Sequence, residues 1–142
     1  MAVSFHSENV NFPPIKKRTT AKWIRIVAEN HGRHLGEISY LFCDDAKILE
    51  INRQYLQHDF YTDIITFDYS ENNIISGDIS ISLDTVRSNS QKYQTEYIEE
   101  LNRVIIHGIL HLCGLNDHSK AEQETMRSAE NSALLLLRDT FR

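Results

Sequence analysis

The chain has 142 residues, of which 41% are hydrophobic and 25% charged, and its formal net charge is −5. This length and apolar share fit one packed domain, predicted to span residues 1–142, and five Gly with two Pro exclude a collagenous or Pro/Gly-rich disordered chain. The longest apolar run, at 133–137, is far shorter than the ~20 residues of a membrane span, and the negative charge disfavours a general nucleic-acid binder.

The first half of the chain predicts two strands that alternate with two helices. The start has no apolar core of the kind that a secretion signal requires, so we expect a cytoplasmic protein. Val3 and Phe5 predict a short strand in a loosely attached first segment. A helix capped by Thr19 or Thr20 follows and runs to about residue 30, and a strand is predicted at 36–42. A second helix, capped by Asp44 or Asp45, is predicted to bury one side formed by Ile48, Leu49, Ile51, Tyr55 and Leu56.

The second half predicts a hairpin and three helices. Two β-branched runs, 63–69 and 74–82, are joined by a short polar turn. Helices are predicted at 83–91, 95–113 and 119–138, and Ser119 with Glu122 has the spacing of a capping box for the last of them. The order predicts an α+β fold in which about five helices pack on a small mixed sheet of about four strands.

A basic stretch lies around the first helix. Residues 14–34 carry a charge of +5 and the rest of the chain −10. We therefore expect either a solvated helix surface or a local nucleic-acid-binding face, and place the acidic excess away from any cleft, at 96–100 and 122–124. The basic candidates are Lys16, Lys17, Arg18, Lys22 and Arg25.

Three histidines have the spacing of metal ligands at the C-terminal end of the long helix. His107 and His111, four residues apart, share one helical face, Gly114 is placed to end the helix, and His118 can return as a third ligand. Three imidazoles leave one coordination position open, which is typical of catalytic rather than structural zinc. The alternative is that the spacing of the three histidines is accidental and that Gly114 only caps the helix. Four other histidines are interpreted as incidental: His6, His31, His34 and His58.

The stretch from His107 to His118 resembles the signature of the YbeY family of bacterial rRNA maturation factors, His-Gly-x-Leu-His-Leu-x-Gly-x-Asp-His. Gly77-Asp78-Ile79 and the pair Met126 and Glu130 also match, within a resemblance that covers residues 36–131. It implies a zinc-dependent single-strand endoribonuclease for 16S rRNA processing, small-subunit maturation and ribosome quality control. It further implies one Zn²⁺ per chain on the three histidines, with single-stranded rRNA and the small ribosomal subunit as partners. The basic stretch lies outside the resemblance, and its charge makes it a candidate to bind the RNA backbone.

One position departs from the family pattern. The family commonly has an Arg after the Tyr that matches Tyr55, and this chain has Leu56. A guanidinium is well suited to binding a phosphate in a transition state, so its absence leaves that role unassigned. His58 and Arg87 are candidates to replace it, and nothing in the sequence selects between them.

Gly108 separates this segment from zinc peptidases, which have Glu beside the first ligand as general base. Because zinc lowers the pKa of bound water to ~7, we expect a zinc-bound water to attack a phosphodiester without that base. Two other hypotheses remain: a non-catalytic zinc-containing ribosome assembly factor, and a metal-dependent hydrolase of another substrate.

The general base is not assigned by the sequence. For Asp117, orienting a ligand histidine or capping the turn before His118 is favoured over accepting a proton. Asp78, in an Ile-rich strand, is a second candidate for the cleft. Cys113 is interpreted as a core residue, and Trp23 and Tyr55 as core residues for which stacking on a base is the alternative.

Overall fold

The computed structural model describes residues 2–56 and 62–140 and confirms the α+β prediction. In chain order the elements are β1 (Val3–Ser7), α1 (Lys17–Asn30), β2 (His34–Cys43), α2 (Asp45–Tyr55), β3 (Ile64–Asp68), β4 (Ile74–Ser82), α3 (Leu83–Lys92), α4 (Tyr97–Leu112) and α5 (Lys120–Thr140). None of the helices in these two ranges combines the length and the apolar character needed to cross a bilayer.

The sheet is mixed, with strand order β1-β2-β4-β3. β1 runs parallel to β2, β2 parallel to β4, and β3 antiparallel to β4, which confirms the predicted hairpin. The expectation of a loosely attached first segment is wrong. All five residues of β1 pair with β2, and the Phe5 ring stacks on that of Tyr40 at 5.3 Å between centroids, because the apolar alternation of β1 continues the buried face of the sheet.

The main core lies between one face of the sheet and the helices α1, α3, α4 and α5. Trp23 is fully buried, and its indole donates a hydrogen bond to the Ala133 carbonyl at 2.8 Å. The Tyr40 hydroxyl donates to the Ile105 carbonyl at 2.8 Å. Buried hydrogen bonds thus join α1 to α5 and β2 to α4, in addition to the apolar contacts between them.

The opposite face of the sheet carries α2 over a smaller apolar cluster that contains Ile48 and Ile51. Asp44 caps this helix by accepting a hydrogen bond from the Lys47 amide at 2.9 Å. The prediction that Tyr55 and Leu56 lie on the buried side is wrong, because they are 62% and 39% exposed. Asn52 is buried in the last turn instead, which apolar periodicity alone does not detect.

Gly77 allows β4 to approach β3 and α4 closely. A Cβ at this position would stand 2.5 Å from the Phe67 carbonyl oxygen and 3.2 Å from a Leu112 methyl. We predict that Gly77→Ala lowers the free energy of unfolding by about 1–3 kcal/mol, since a backbone atom cannot yield as a side chain does.

Urea denaturation would measure this loss, with Gly108→Ala as the comparison. A Cβ on Gly108 meets only methyl groups of Ile79 and Ile64, at 3.0–3.2 Å. A helical Ala also gains roughly 0.5–1 kcal/mol over Gly, so the second variant should change stability much less. Equal midpoints for Gly77→Ala and the wild type would contradict the prediction.

Candidate metal centre and cleft

One cavity of about 790 Å³ collects the predicted ligands. It lies between α4, α5, β3 and the ends of α2 and α3. His107, His111, His118 and Asp117 all line it. The structure therefore brings the three histidines, which come from a helix and from the loop after it, to one cleft.

The turn after α4 has the geometry that the sequence predicts. Gly114 has φ of +106°, its amide donates to the His111 carbonyl, and the Leu115 amide donates to the Leu110 carbonyl. These two bonds form a Schellman motif, which satisfies the last carbonyls of the helix. The helix thus ends at Leu112, one residue after His111, and the chain reverses direction toward His118.

The predicted capping box at the start of α5 is confirmed. The Glu122 amide donates to the Ser119 hydroxyl at 3.1 Å, and the Ser119 amide donates to the Glu122 carboxylate at 2.9 Å. The same carboxylate accepts a hydrogen bond from the His118 amide at 3.2 Å, and these contacts hold its pKa below the usual value. The backbone of His118 is therefore tied to the first turn of α5.

Glu130 orients His107. Its buried carboxylate lies 2.7 Å from His107 Nδ1 through Oε2 and accepts a hydrogen bond from Arg103 Nη1 at 2.9 Å through Oε1. With Nδ1 donating to the carboxylate, the lone pair of the imidazole is on Nε2. Glu130 thus leaves the second ring nitrogen of His107 free to act as a ligand.

The protonation of this pair follows from its surroundings. Burial lowers the pKa of His107, but the hydrogen bond to Glu130 and the charges of Glu130, Asp117 and Asp63 outweigh burial and raise it above the usual value. Burial raises the pKa of Glu130, but its bonds to His107 and Arg103 hold it below the usual value. A metal ion at this position would compete with a proton for Nε2 of His107.

Asp117 faces the cleft from the turn. Its Oδ2 lies 3.5 Å from His107 Nε2, and its backbone carbonyl accepts a hydrogen bond from the Gln123 side chain. The contact is with Nε2, the nitrogen proposed to bind the ion, whereas Glu130 holds Nδ1, so an orienting role for Asp117 stays a prediction. The capping of the turn is carried out by Glu122 and not by the Asp117 side chain.

The cavity fits a metal ion in the kind of donor that it offers. Within residues 2–56 and 62–140, no group of three or more His, Cys, Asp or Glu side chains is arranged to hold a metal ion, so the ligand set stays a prediction. Three imidazoles nevertheless line one cleft, and Glu130 holds His107 in the orientation that leaves Nε2 available. This hydrogen-bonded orientation is the usual arrangement behind a metal-binding histidine, and imidazole nitrogen suits zinc.

Gly108 faces the sheet and not the cleft. It is buried, and a Cβ there would contact Ile79 and Ile64. A glutamate at this position, as in zinc peptidases, would point into the apolar core of this fold. The missing peptidase base is therefore a consequence of how α4 packs, and the structure gives no support to peptide hydrolysis.

The other candidates lie elsewhere. Asp78 is exposed on β4 and does not line the cavity. Arg87 lies in a separate cavity, where its guanidinium is 4.1 Å from the centre of the Tyr97 ring. His58 falls outside the described residues. The basic candidates of α1 and the residue before it are exposed and line neither cavity: Lys16, Lys17, Arg18, Lys22 and Arg25.

Several charged residues of the cleft were not assigned to it from the sequence. Asp63, Arg103 and Arg127 line the cavity. Glu100 lines it too and is buried, so its placement on a surface away from the cleft was wrong. Burial raises the pKa of Glu100 and of Asp63, although nearby Arg103 and His107, respectively, act in the opposite direction. The helical spacing of Glu100, Arg103 and His107 could have indicated a shared face of α4.

Cys113 is buried at the end of α4, as interpreted from the sequence. Burial raises the pKa of its thiol to about 11. A thiol with so high a pKa is neutral at physiological pH and is a poor nucleophile, which agrees with a packing role.

The chain matches a family model described as Endoribonuclease YbeY over residues 3–138. A curated protein from Parabacteroides distasonis with that description is 58% identical over 142 residues and covers 100% of both chains. One from Phocaeicola vulgatus is 60% identical over 135 residues, which are 95% of this chain and 98% of the relative. One from Porphyromonas gingivalis strain W83 is 54% identical over 139 residues, or 98% and 92% of the two chains.

The fold also resembles a solved structure. The solution structure of a Thermotoga maritima protein superposes with a TM-score of 0.66 and covers 96% of this chain and 91% of its own. The sequence identity is 21%, so this likeness concerns the fold.

Proposed function

Because the chain belongs to the YbeY family of endoribonucleases, we propose that it is a metal-dependent endoribonuclease that cleaves single-stranded rRNA. The membership confirms the resemblance in the segment from His107 to His118. The proposal extends to 16S rRNA processing, small-subunit maturation and quality control in the cytoplasm. The observation that supports it most directly is the Glu130–His107 hydrogen bond, at 2.7 Å, in a cleft that His111 and His118 share.

His107, His111 and His118 would hold one Zn²⁺. When bound there, zinc supplies positive charge opposite the developing phosphorane and lowers the pKa of water to ~7. Glu130 keeps the proton of His107 on Nδ1 and is itself fixed by Arg103. The buried carboxylate and the guanidinium thus set the ring orientation before any ligand arrives.

Asp117 is placed to act on water in the cleft. Its carboxylate is 45% exposed and lies 3.5 Å from Nε2 of His107, so it reaches the region in front of the imidazoles. A carboxylate there accepts a hydrogen bond from a water molecule and aligns its lone pair with a phosphodiester. Asp117 is therefore our candidate for positioning the attacking water, ahead of Asp78, which lies outside the cleft.

The shape of the site favours a flexible strand. The cavity is concave and lined by side chains from four helices and from β3, so a nucleotide enters it only when its backbone can bend away from a partner strand. A duplex presents a wide, regular surface that has no such freedom. This supports single-stranded RNA as substrate.

One observation favours the second hypothesis, a zinc-containing assembly factor without catalysis. Leu56 is 39% exposed and lines the cavity, at the position where the family pattern commonly has an Arg. The Leu56 side chain itself offers no charge to a phosphate. Arg87 does not replace the missing cation there because it lies in the other cavity.

The proposal is tested with the purified full chain. We expect elemental analysis to find one zinc per chain, and a single-stranded fragment of 16S rRNA to be cut faster than the same fragment annealed to its complement. Chelation should stop cleavage and Zn²⁺ should restore it, while circular dichroism shows that the fold persists. Zinc-loaded protein that binds the fragment but never cuts it would favour the assembly factor, and cleavage that chelation leaves unchanged would contradict metal dependence.

A further inference from the structure

The cleft contains two guanidinium groups in very different states. Arg103 makes two side-chain hydrogen bonds, from Nη1 to Glu130 at 2.9 Å and from Nη2 to the Asn131 side chain at 2.8 Å. Arg127 is exposed and lines the same cavity. Across the described part of the chain it makes neither a hydrogen bond nor an ion pair. Its five donors are therefore available to a ligand.

The cavity around Arg127 is lined by carboxylates, so an anionic substrate needs a cation there to bind. The described lining of the cavity carries four carboxylates, on Asp63, Glu100, Asp117 and Glu130. An RNA backbone is repelled by such a lining unless a cation meets it. A guanidinium binds a phosphate through two parallel hydrogen bonds, and Arg127 is the cavity-lining cation with no competing partner in the described ranges.

An exposed aromatic ring lies at one end of the same cleft. Tyr93 follows α3, is 56% exposed and lines the cavity together with Thr95. Both precede the N-terminus of α4, and the first residue of that helix, Tyr97, is separated from His111 by about 21 Å along the helix axis, at 1.5 Å per residue. The cleft therefore extends well beyond the imidazoles, far enough for more than one nucleotide.

Arg127 lines the cavity together with Glu100. It acts electrostatically on Glu100, which lies in the first turn of that helix. The guanidinium and the tyrosine ring thus provide, in one cavity, the two groups that single-stranded nucleic acids use most, a backbone cation and a stacking surface.

We propose that the α4 N-terminal part of the cleft is a subsite for the RNA that flanks the cleaved bond, where Arg127 binds a backbone phosphate and Tyr93 stacks on a base. The subsite rests on the proposed function, because it takes its ligand to be the single-stranded substrate. It assigns to Arg127 the phosphate contact that Leu56 cannot make. Stacking gives no base preference, so the subsite positions the strand without reading its sequence.

Fluorescence anisotropy with a short labelled oligoadenylate tests the two contacts separately, on the full chain and over a range of salt. Arg127→Ala should weaken binding about tenfold and reduce the slope of log K against log salt concentration by about 0.7, the value of one phosphate contact on a single strand. Tyr93→Ala should weaken binding about fivefold or more at unchanged slope, while Tyr93→Phe keeps wild-type affinity.

Matched controls come from the same chain. Arg138→Ala removes an exposed arginine from the same helix, and Tyr69→Ala removes a tyrosine that is 60% exposed, and neither residue lines the cavity. Both controls should bind as the wild type does. If Arg127→Ala matches Arg138→Ala in affinity and slope, or Tyr93→Ala matches Tyr69→Ala, the subsite is wrong.

The cleavage assay separates this failure from failure of the proposed function. If the wild type cuts RNA and the subsite variants bind and cut RNA as their controls do, only the subsite proposal is overturned. Selective loss of binding in Arg127→Ala and Tyr93→Ala supports the subsite even if zinc-loaded wild type cuts nothing, in which case only the enzymatic proposal fails.

Discussion

Replacing His111 with alanine is expected to slow cleavage of single-stranded RNA by about 10³-fold or more. The variant keeps two of the three proposed imidazole ligands, and we expect it to lose the bound ion. A metal ion contributes several kcal/mol to stabilising the charge of such a transition state, and about 4 kcal/mol corresponds to 10³ in rate. The side chain is half-buried at the cavity wall, so its truncation should leave the helix intact.

The measurement combines three readings on each preparation: cleavage rate, zinc content and the thermal unfolding midpoint. His6→Ala is the control, because His6 is exposed on β1 and lies outside the cleft. We expect it to keep both zinc and activity. If His111→Ala and the wild type cut at the same rate, the nuclease is a contaminant and the catalytic proposal is lost.

Changing Glu130 to glutamine is expected to lower zinc affinity by about 10–100-fold in a protein that still folds. The amide is nearly the size of the carboxylate but cannot serve both of its partners. If its oxygen accepts from Arg103, its NH₂ group faces Nδ1 of His107 and moves the ring proton to Nε2, the nitrogen that faces Asp117. If the amide turns the other way, its NH₂ group meets the guanidinium and two donors oppose each other.

A competition assay with a chromogenic chelator gives the affinity, and ¹⁵N NMR of the imidazole shows which ring nitrogen carries the proton. In metal-free wild type, above the raised pKa of His107, we expect the proton on Nδ1, and in the variant on Nε2. Glu124→Gln is the control, since Glu124 is exposed on the same helix and does not line the cavity. Unchanged zinc affinity in Glu130→Gln would show that this carboxylate does not orient a ligand.

Local patterns predict much of this protein because many of its signals lie within a few residues of each other. The alternation in β2 and β4, the caps at Asp44 and Ser119 and the helix stop at Gly114 each depend on neighbours in the chain, and the structure shows all of them. The spacing of His107 and His111 is of the same kind.

The cleft depends on distant pairs, and these are what sequence reasoning missed. Glu130 forms a hydrogen bond with His107, which is 23 residues away in the sequence, and the residues next to either one do not indicate this contact. Glu100 stands in an acidic run that is typical of a solvated surface, yet the crossing of α4 by other elements buries it. Tyr55 has the right helical phase for burial, but the apolar cluster beneath α2 does not include it.

The close contact of Gly108 with the sheet also limits what the cleft can become in evolution. In zinc peptidases the residue after the first ligand histidine carries the base, and here that position is occupied by neighbouring methyl groups at 3.0–3.2 Å from any added Cβ. Room for a carboxylate would require smaller residues at Ile64 and Ile79 together with a polar path to the metal. A single substitution at Gly108 therefore does not supply that base. Substitutions made one at a time would more readily change the residues that bind the nucleotide than convert the site to peptide hydrolysis.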